Sequence, residues 1–248
     1  MEDLNRYLKV IKQESHRKTV MDITGDVILK IEFPDTDNGR SRKIVTRSRA
    51  RPTGKYPSWK MNRMMQWESH NELNAFRLIE ANSAISGFQE QPLTIYFKLN
   101  GVTHRHHPDI LVITENSREL WEIKPASEAR IVAQRTKFLT EQLPQLGFTY
   151  RMILGEELAK QPRLQNVQTM LKFGRAEIPS AARELVRQII ESTNKISWNS
   201  AVKGDLGSHG RQLLARLFLE GELSFNIDEP IANAVFKKNA HTDFGGEI

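Results

Sequence analysis

The stretches His107-Pro-Asp-Ile-Leu-Val-Ile113 and Leu120-Trp-Glu-Ile-Lys124 read as strands, whose side chains take opposite faces with a period of two. The polar stretch at 114–119 predicts the turn between them. With Thr114 and Glu119 closing the turn, Asp109 falls opposite Lys124 and Leu111 opposite Glu122. Asp109, Glu122 and Lys124 then share one face, with Ile110, Val112, Trp121 and Ile123 on an apolar face behind them. Residues 68–81 (ESHNELNAFRLIEA) carry the other period. Ala75, Phe76 and Ile79 follow Glu72 at i+3, i+4 and i+7, which predicts an amphipathic helix with Glu72 on its apolar stripe. Residues 87–99, rich in aromatic and β-branched side chains, predict a strand. Asn100-Gly101 marks a hairpin turn, and Val102 leads into the Asp109 strand. After Pro125, Ser127 is placed to cap a helix running to about Leu143 with Ile131, Phe138 and Leu139 inward. Residues 148–154 read as one more strand.

The resulting order is helix, three-strand meander, helix, strand. It predicts an α+β (mixed α/β) sandwich around one sheet, which is also the core order of the restriction-endonuclease-like superfamily. A domain break is expected near residues 156–165, giving a nuclease-like unit over 1–165 and a second unit over 166–248. In the second, Ile178-Pro179-Ser180 opens a helix to about Ser192, and residues 197–202 suit a short helix. Ser208 opens a third, with Leu213, Leu214, Leu217 and Phe218 as its apolar side. Residues 222–226 and 231–236 suit a β-ribbon, and three helices with a ribbon suggest a winged helix.

Charge sharpens this picture. The formal net charge is +6, yet residues 40–63 hold nine Lys or Arg and no Asp or Glu, so the rest of the chain sums to −3. Tyr56 and Trp59 are interleaved there, and Pro52, Gly54 and Pro57 disfavour a continuous helix. A basic, irregular arm of this kind suits contact with a DNA backbone, and Arg47, Arg49, Arg51, Lys55, Lys60 and Arg63 are its candidate contacts. Residues 161–248, with eleven basic and ten acidic side chains, lack such a footprint. Arg211 and Arg216 leave DNA contact open there, and protein docking is at least as well supported. The absence of cysteine excludes disulfides and thiolate metal sites. No apolar run approaches a membrane span and no signal peptide precedes the charged N-terminus, so a cytoplasmic, nucleoid-associated protein is expected.

The chemistry lies in the carboxylates. Asp109 with Glu122-Ile123-Lys124 forms the D…ExK arrangement of metal-dependent nucleases, in which carboxylates bind a hard divalent cation and an ammonium steers a water. Glu72 costs several kcal/mol to bury without a cation, which makes it the third candidate ligand, with Glu68 one turn earlier as its rival. His104, His106 and His107 lack a second pair of soft ligands and read as strand or phosphate-contacting histidines rather than a zinc site.

The ordered set ESHNELNAFRLIE with Glu72, GFQEQPL at 87–93, HPDILV with Asp109 and WEIKPA at 121–126 resembles the TnsA family, the endonuclease subunit of heteromeric cut-and-paste transposases. The stretch RSRARPTGKYPSWK at 47–60 is similar to the branch found in CRISPR-associated transposons. The resemblance covers the nuclease core well and the C-terminal unit, a winged helix in this family, more weakly. It implies a nuclease that cuts the 5′ ends of the transposon on the non-transferred strand. Its partners would be double-stranded DNA, the transposase TnsB, which cuts and joins the 3′ ends, and the ATPase TnsC, which activates both. The implied ligands of Mg²⁺, or Mn²⁺ as a substitute, are Glu72, Asp109, Glu122 and the backbone carbonyl of Ile123, with Lys124 orienting the attacking water. Glu122 stands where some members carry a neutral Gln. Two other classes fit the same residues: a stand-alone restriction or repair-type nuclease, and a non-catalytic DNA-binding adaptor.

Overall fold

A computed structural model describes residues 25–34, 39–41 and 52–239. Arg42, Lys43, Arg47, Arg49 and Arg51 of the basic segment lie outside the described residues. The chain divides into two compact units, one of residues 1–73 with 85–156 and the other of 74–84 with 157–248. The fold is mixed α+β.

The first unit contains strands β1 (Val27–Glu32), β2 (Gly54–Ser58) and β3 (Arg63–Trp67) and the first turn of helix α1 (His70–Ala81). Strands β4 (Ile85–Glu90), β5 (Thr94–Leu99), β6 (Val102–His106), β7 (Ile110–Thr114) and β8 (Arg118–Lys124), helix α2 (Ala126–Gln142) and strand β9 (Thr149–Leu154) follow. Three sheets result, ordered β4-β7-β8-β9, β1-β5-β6 and β2-β3. The order β4-β7-β8 keeps the neighbours expected of the meander only in its outer parts, and β9 joins it parallel to β8. The single strands expected over 87–99 and 102–113 are instead two strands each, forming one long hairpin that bends from one sheet into another. The bend falls at Gln91-Pro92 and Pro108, where Gln91 takes a left-handed φ of 44° and neither proline can donate to a ladder. The turn at Asn100-Gly101, with φ of 52° and 76°, is the expected one.

The β7–β8 hairpin is set two residues from the predicted register. Ile113 pairs with Arg118 and Ile110 with Trp121, because the turn closes at Ser117 rather than Glu119. Thr114 N–H donates to the Ser117 carbonyl at 3.0 Å while its hydroxyl accepts from Ser117 N–H at 3.0 Å. Since side chains alternate with a period of two, a slip of two leaves the paired residues of β7 and β8 on their predicted faces.

One core joins two of the sheets to α2. Leu93, Ile95, Phe97 and Leu99 of the β5 region meet Leu111, Leu120, Phe138, Leu139, Phe148 and Tyr150, and Phe97 stacks on Phe138 at 5.4 Å. The predicted inward stripe of α2 is therefore confirmed at Phe138 and Leu139 but not at Ile131, which is 80% exposed. Ser127 does not cap this helix either. Pro125 occupies the cap, and the Ala126 N–H is taken by the Glu156 carboxylate at 3.1 Å.

The second unit holds most of α1, helices α4 (Arg163–Gly174), α5 (Ser180–Thr193), α6 (Trp198–Lys203) and α7 (Gly210–Leu219), and a sheet ordered β10-β12-β11. A short turn of helix, α3 (Gly155–Leu158), precedes them, and the strands are β10 (Ile196–Ser197), β11 (Leu223–Ser224) and β12 (Val235–Lys238). The three predicted helices are present, with Leu213, Leu214, Leu217 and Phe218 buried. Helix α4 has no counterpart in the sequence reading, although Leu164, Val167, Met170 and Leu171 are its buried stripe. Gly174 lets α4 approach α7, since a Cβ there would lie 2.6 Å from Leu219. No helix among the described residues is long and apolar enough to cross a membrane.

The C-terminal end of the basic segment is not irregular: β2 and β3 form a hairpin with Tyr56 and Met65 buried. Arg63 is held by Glu90, a carboxylate with 2% of its side chain exposed, through bonds of 2.9 and 2.6 Å, and Arg40 reaches the same carboxylate at 3.1 Å. The Arg63 guanidinium is thus committed to a buried counter-ion. Removing one partner of a buried pair strands the other's charge, so Arg63→Ala should cost about 3 kcal/mol. Chemical denaturation should show that loss, and Arg63→Met with Glu90→Leu should recover most of it.

Candidate active site

Asp109 stands at the bend of the long hairpin. Its N–H donates to the Trp121 carbonyl at 2.9 Å although Ile110 is the register partner of Trp121, so two residues address one, as in a bulge. Its carbonyl accepts from Gln91 N–H at 2.8 Å. Its carboxylate takes a ladder position: Oδ2 accepts the Ile123 N–H at 2.7 Å. A side chain fixed by its own main chain on both sides has little freedom left.

On β8, Glu122 and Lys124 alternate with Ile123 and turn toward α2. Glu122 is buried, and its Oε1 accepts from both Lys124 Nζ and Arg135 Nη2 at 2.9 Å. Its Oε2 is buried without a hydrogen-bond partner and lies 3.4 Å from His106 Nε2. That nitrogen bonds the Tyr150 hydroxyl at 3.0 Å. Burial, with the charges of Arg135 and Lys124, holds the His106 pKa well below the ordinary histidine value, so the ring is neutral at pH 7.

Glu72 enters from the start of α1. Its Oε2 accepts the Glu68 N–H at 2.8 Å, its Oε1 accepts from the Ser69 hydroxyl at 3.1 Å, and its own N–H donates back to Ser69 Oγ at 3.1 Å. Ser69 caps the helix and Glu72 reaches back one residue past it, a variant of the capping box whose signature is Ser69-His70-Asn71-Glu72. Gly155, after β9, lies so close to Asn71 that a Cβ would sit 2.0 Å from its amide, which seats the first turn of α1 beside the sheet. Burial raises the Glu72 pKa above the usual carboxylate range, against the backbone and hydroxyl bonds that lower it. Glu68, its rival in the sequence reading, supplies a backbone bond and a repelling charge.

These groups share one electrostatic site. Burial first, then the charges of Glu122 and Glu72, push the Asp109 pKa well above its ordinary value, against Lys124 and the Ile123 N–H. Burial pulls Lys124 down, but Asp109 and Glu122 outweigh it and the ammonium stays protonated above the usual lysine range. Among the described residues no three His, Asp or Glu side chains already converge as a metal cluster, because Glu72 is folded into its cap and Glu122 is drawn to Lys124 and Arg135. The donor set nonetheless fits a divalent cation. It is all oxygen, Asp109 is short of positive charge, and Glu122 keeps one buried oxygen unused.

The other candidates lie apart from this group. Lys60 donates to the Ile85 carbonyl at 2.6 Å, Lys55 is exposed, and Trp59 is 47% exposed. His104 is exposed and stacks on Phe97 at 5.2 Å. His107 shares Nδ1 between the hydroxyls of Ser41 at 3.0 Å and Thr94 at 3.1 Å. None of the three histidines groups with soft ligands. Arg135 is the residue the sequence reading missed. It precedes Phe138 and Leu139 by three and four positions, and a charged residue at that phase of the inward stripe was the available signal.

Comparison with known proteins converges on the same segment. Residues 82–166 match the family model described as TnsA-like endonuclease N terminal. The match spans Asp109, Glu122, Lys124 and Arg135, about a third of the chain, and begins after Glu72. It supports a TnsA-family nuclease, a DNA-acting component of the Tn7 type. No curated protein matches the sequence.

The raised Asp109 pKa has a signed consequence for stability. Between the unfolded and folded values the folded state holds a proton that the unfolded state has lost, so stability falls as pH rises through that window. Asp109→Asn keeps an acceptor for Ile123 N–H without the charge. In chelator it should melt several degrees above the parent at pH 8, with the difference shrinking toward pH 5. Equal melting curves at both pH values would contradict this.

Proposed function

We propose that the chain is the Mg²⁺-dependent endonuclease subunit of a heteromeric transposase. It cleaves the 5′, non-transferred strand at transposon ends, while a TnsB-type transposase cuts and joins the 3′ ends and a TnsC-type ATPase activates both. The observation that carries this reading is Asp109. Its carboxylate is pinned by the Ile123 N–H, crowded by Glu122 and Glu72 and faced by Lys124, inside the segment that matches the TnsA-like endonuclease domain.

Asp109, Glu72 and Glu122 would hold the cation with the Ile123 carbonyl, whose strand geometry turns it to the same edge as the N–H bonded to Asp109. Bound there, the cation supplies polarisation of the scissile phosphate and a water of lowered pKa. Lys124 stays protonated and acts as a donor, orienting the attacking water and offsetting charge that develops on the phosphate. The product is a 5′-phosphate and a 3′-hydroxyl.

Attraction for the polyanion comes from Arg47, Arg49, Arg51 and Lys55, with Lys60 at the end of the run and Arg40 and Arg63 committed to Glu90. The helix–strand–helix–helix–ribbon order from α5 to β12 supports a winged helix, and its charges favour docking to protein over reading DNA. Arg216 is paired with Glu220, which Arg183 also grips at 2.7 Å, and Arg211 lies over the Phe173 ring at 4.9 Å.

Alanine at Asp109 or Lys124 should reduce 5′-strand cleavage on the order of a thousandfold or more while the chain stays folded. With 3′ cleavage intact, products should shift from simple insertions to cointegrates. Near-normal 5′ nicking by folded Lys124→Ala would sink the assignment. Neutralising Arg47, Arg49, Arg51 and Lys55 together should weaken duplex binding and flatten its salt dependence by about 0.9 in log–log slope for each phosphate no longer neutralised. An unchanged slope would show that the segment meets a protein instead.

A further inference from the structure

Glu122 binds two cations through one oxygen. Lys124 Nζ and Arg135 Nη2 both stand 2.9 Å from Oε1, and the carboxylate is buried. Lys124 reaches it from the same strand, two residues on. Arg135 reaches it from α2, on the inward stripe one turn before Phe138 and Leu139, so packing of the helix on the sheet fixes where its guanidinium stands. On the far side of Glu122, His106 Nε2 lies 3.4 Å from Oε2 and is engaged by the Tyr150 hydroxyl at 3.0 Å.

Were Lys124 the sole partner of this buried carboxylate, its charge would be consumed there, because an unpaired buried carboxylate is costly. The second cation changes that balance. With Arg135 present, Glu122 is neutralised without Lys124, and the ammonium charge remains for Asp109 and for whatever negative charge develops beside it. We propose that Arg135 is a positioning residue that holds Glu122 as its counter-ion and so releases Lys124 to act at the Asp109 side of the site. The proposal rests on the metal-dependent nuclease reading and adds a residue to it.

A guanidinium this close to a cation site also repels the cation, which separates this role from a merely structural one. In the full-length chain, Arg135→Gln should slow 5′-strand cleavage in the complete reaction by about tenfold to a hundredfold, as outer-shell partners do. The same variant should bind Mn²⁺, measured by calorimetry without DNA, several-fold more tightly than the parent. Arg135→Lys, which keeps the charge, should recover most of both properties. A structural role predicts instead that rate, Mn²⁺ affinity and melting temperature all fall together and that lysine does not rescue. That pattern overturns the proposal, as does an unchanged rate or a slower rate without tighter Mn²⁺ binding. The parent and Asp109→Asn serve as the control. Mn²⁺ binding by the parent that is lost in Asp109→Asn upholds the metal reading, so an indifferent Arg135→Gln then overturns this proposal alone. A parent that binds no Mn²⁺ overturns both.

Discussion

The site depends on one hydrogen bond, from the Ile123 N–H to the Asp109 carboxylate. A side chain fills a position where a strand's backbone acceptor would ordinarily stand. It does so because the hairpin breaks at Pro108, which places Asp109 just outside the ladder with its own N–H still tied to Trp121. The bond fixes the carboxylate to the same strand that carries Glu122 and Lys124, so three charged groups are referenced to one backbone. The remaining members, Glu72 and Arg135, come in on helices and are placed by packing and capping. The acid is thus fixed by a strand, and the charges around it by the helices that carry them.

The charge balance explains why this centre can be so acidic within a folded unit. Each carboxylate is answered differently: Glu122 by two cations, Glu72 by backbone and hydroxyl donors at a helix start, and Asp109 by one amide and a shared lysine. Asp109 is the least compensated. Strain of this kind, held by surrounding structure that is well satisfied, is characteristic of a site that completes itself by binding.

Much of this is legible in the sequence because the deciding signals are local. Period-two alternation places Glu122 and Lys124 on one strand and Asp109 at the start of its neighbour, and parity keeps the paired residues on their faces even though the turn closes at Ser117 instead of Glu119; that Asp109 falls just outside the ladder is not legible in it. Helical phase finds Glu72 but not its role as acceptor for the Glu68 N–H and the Ser69 hydroxyl at the helix start, although Ser69 three residues earlier announces it. Arg135 is hidden because Ile131, one turn before it, continues the apolar stripe on paper. Which turn of a helix meets the sheet depends on where the sheet ends, and no helical period contains that information. The Arg63–Glu90 pair joins residues on different hairpins and has no sequence signature, so an arginine committed to a buried carboxylate passes for part of an open basic run.

That pair gives the basic segment an unexpected topology. Arg40 lies ahead of the residues rich in arginine and Arg63 lies beyond them, and both close on the single carboxylate of Glu90. Whatever path the chain follows in between, its ends are stapled together, and the staple sits beside the site, since Glu90 pairs with Ile110 and Gln91 bonds Asp109. The entropy of closing such a loop grows only slowly with its length, so residues can be inserted or removed inside it at little cost. The length and the charge of the stretch between can thereby change while its two points of attachment beside Asp109 stay where they are.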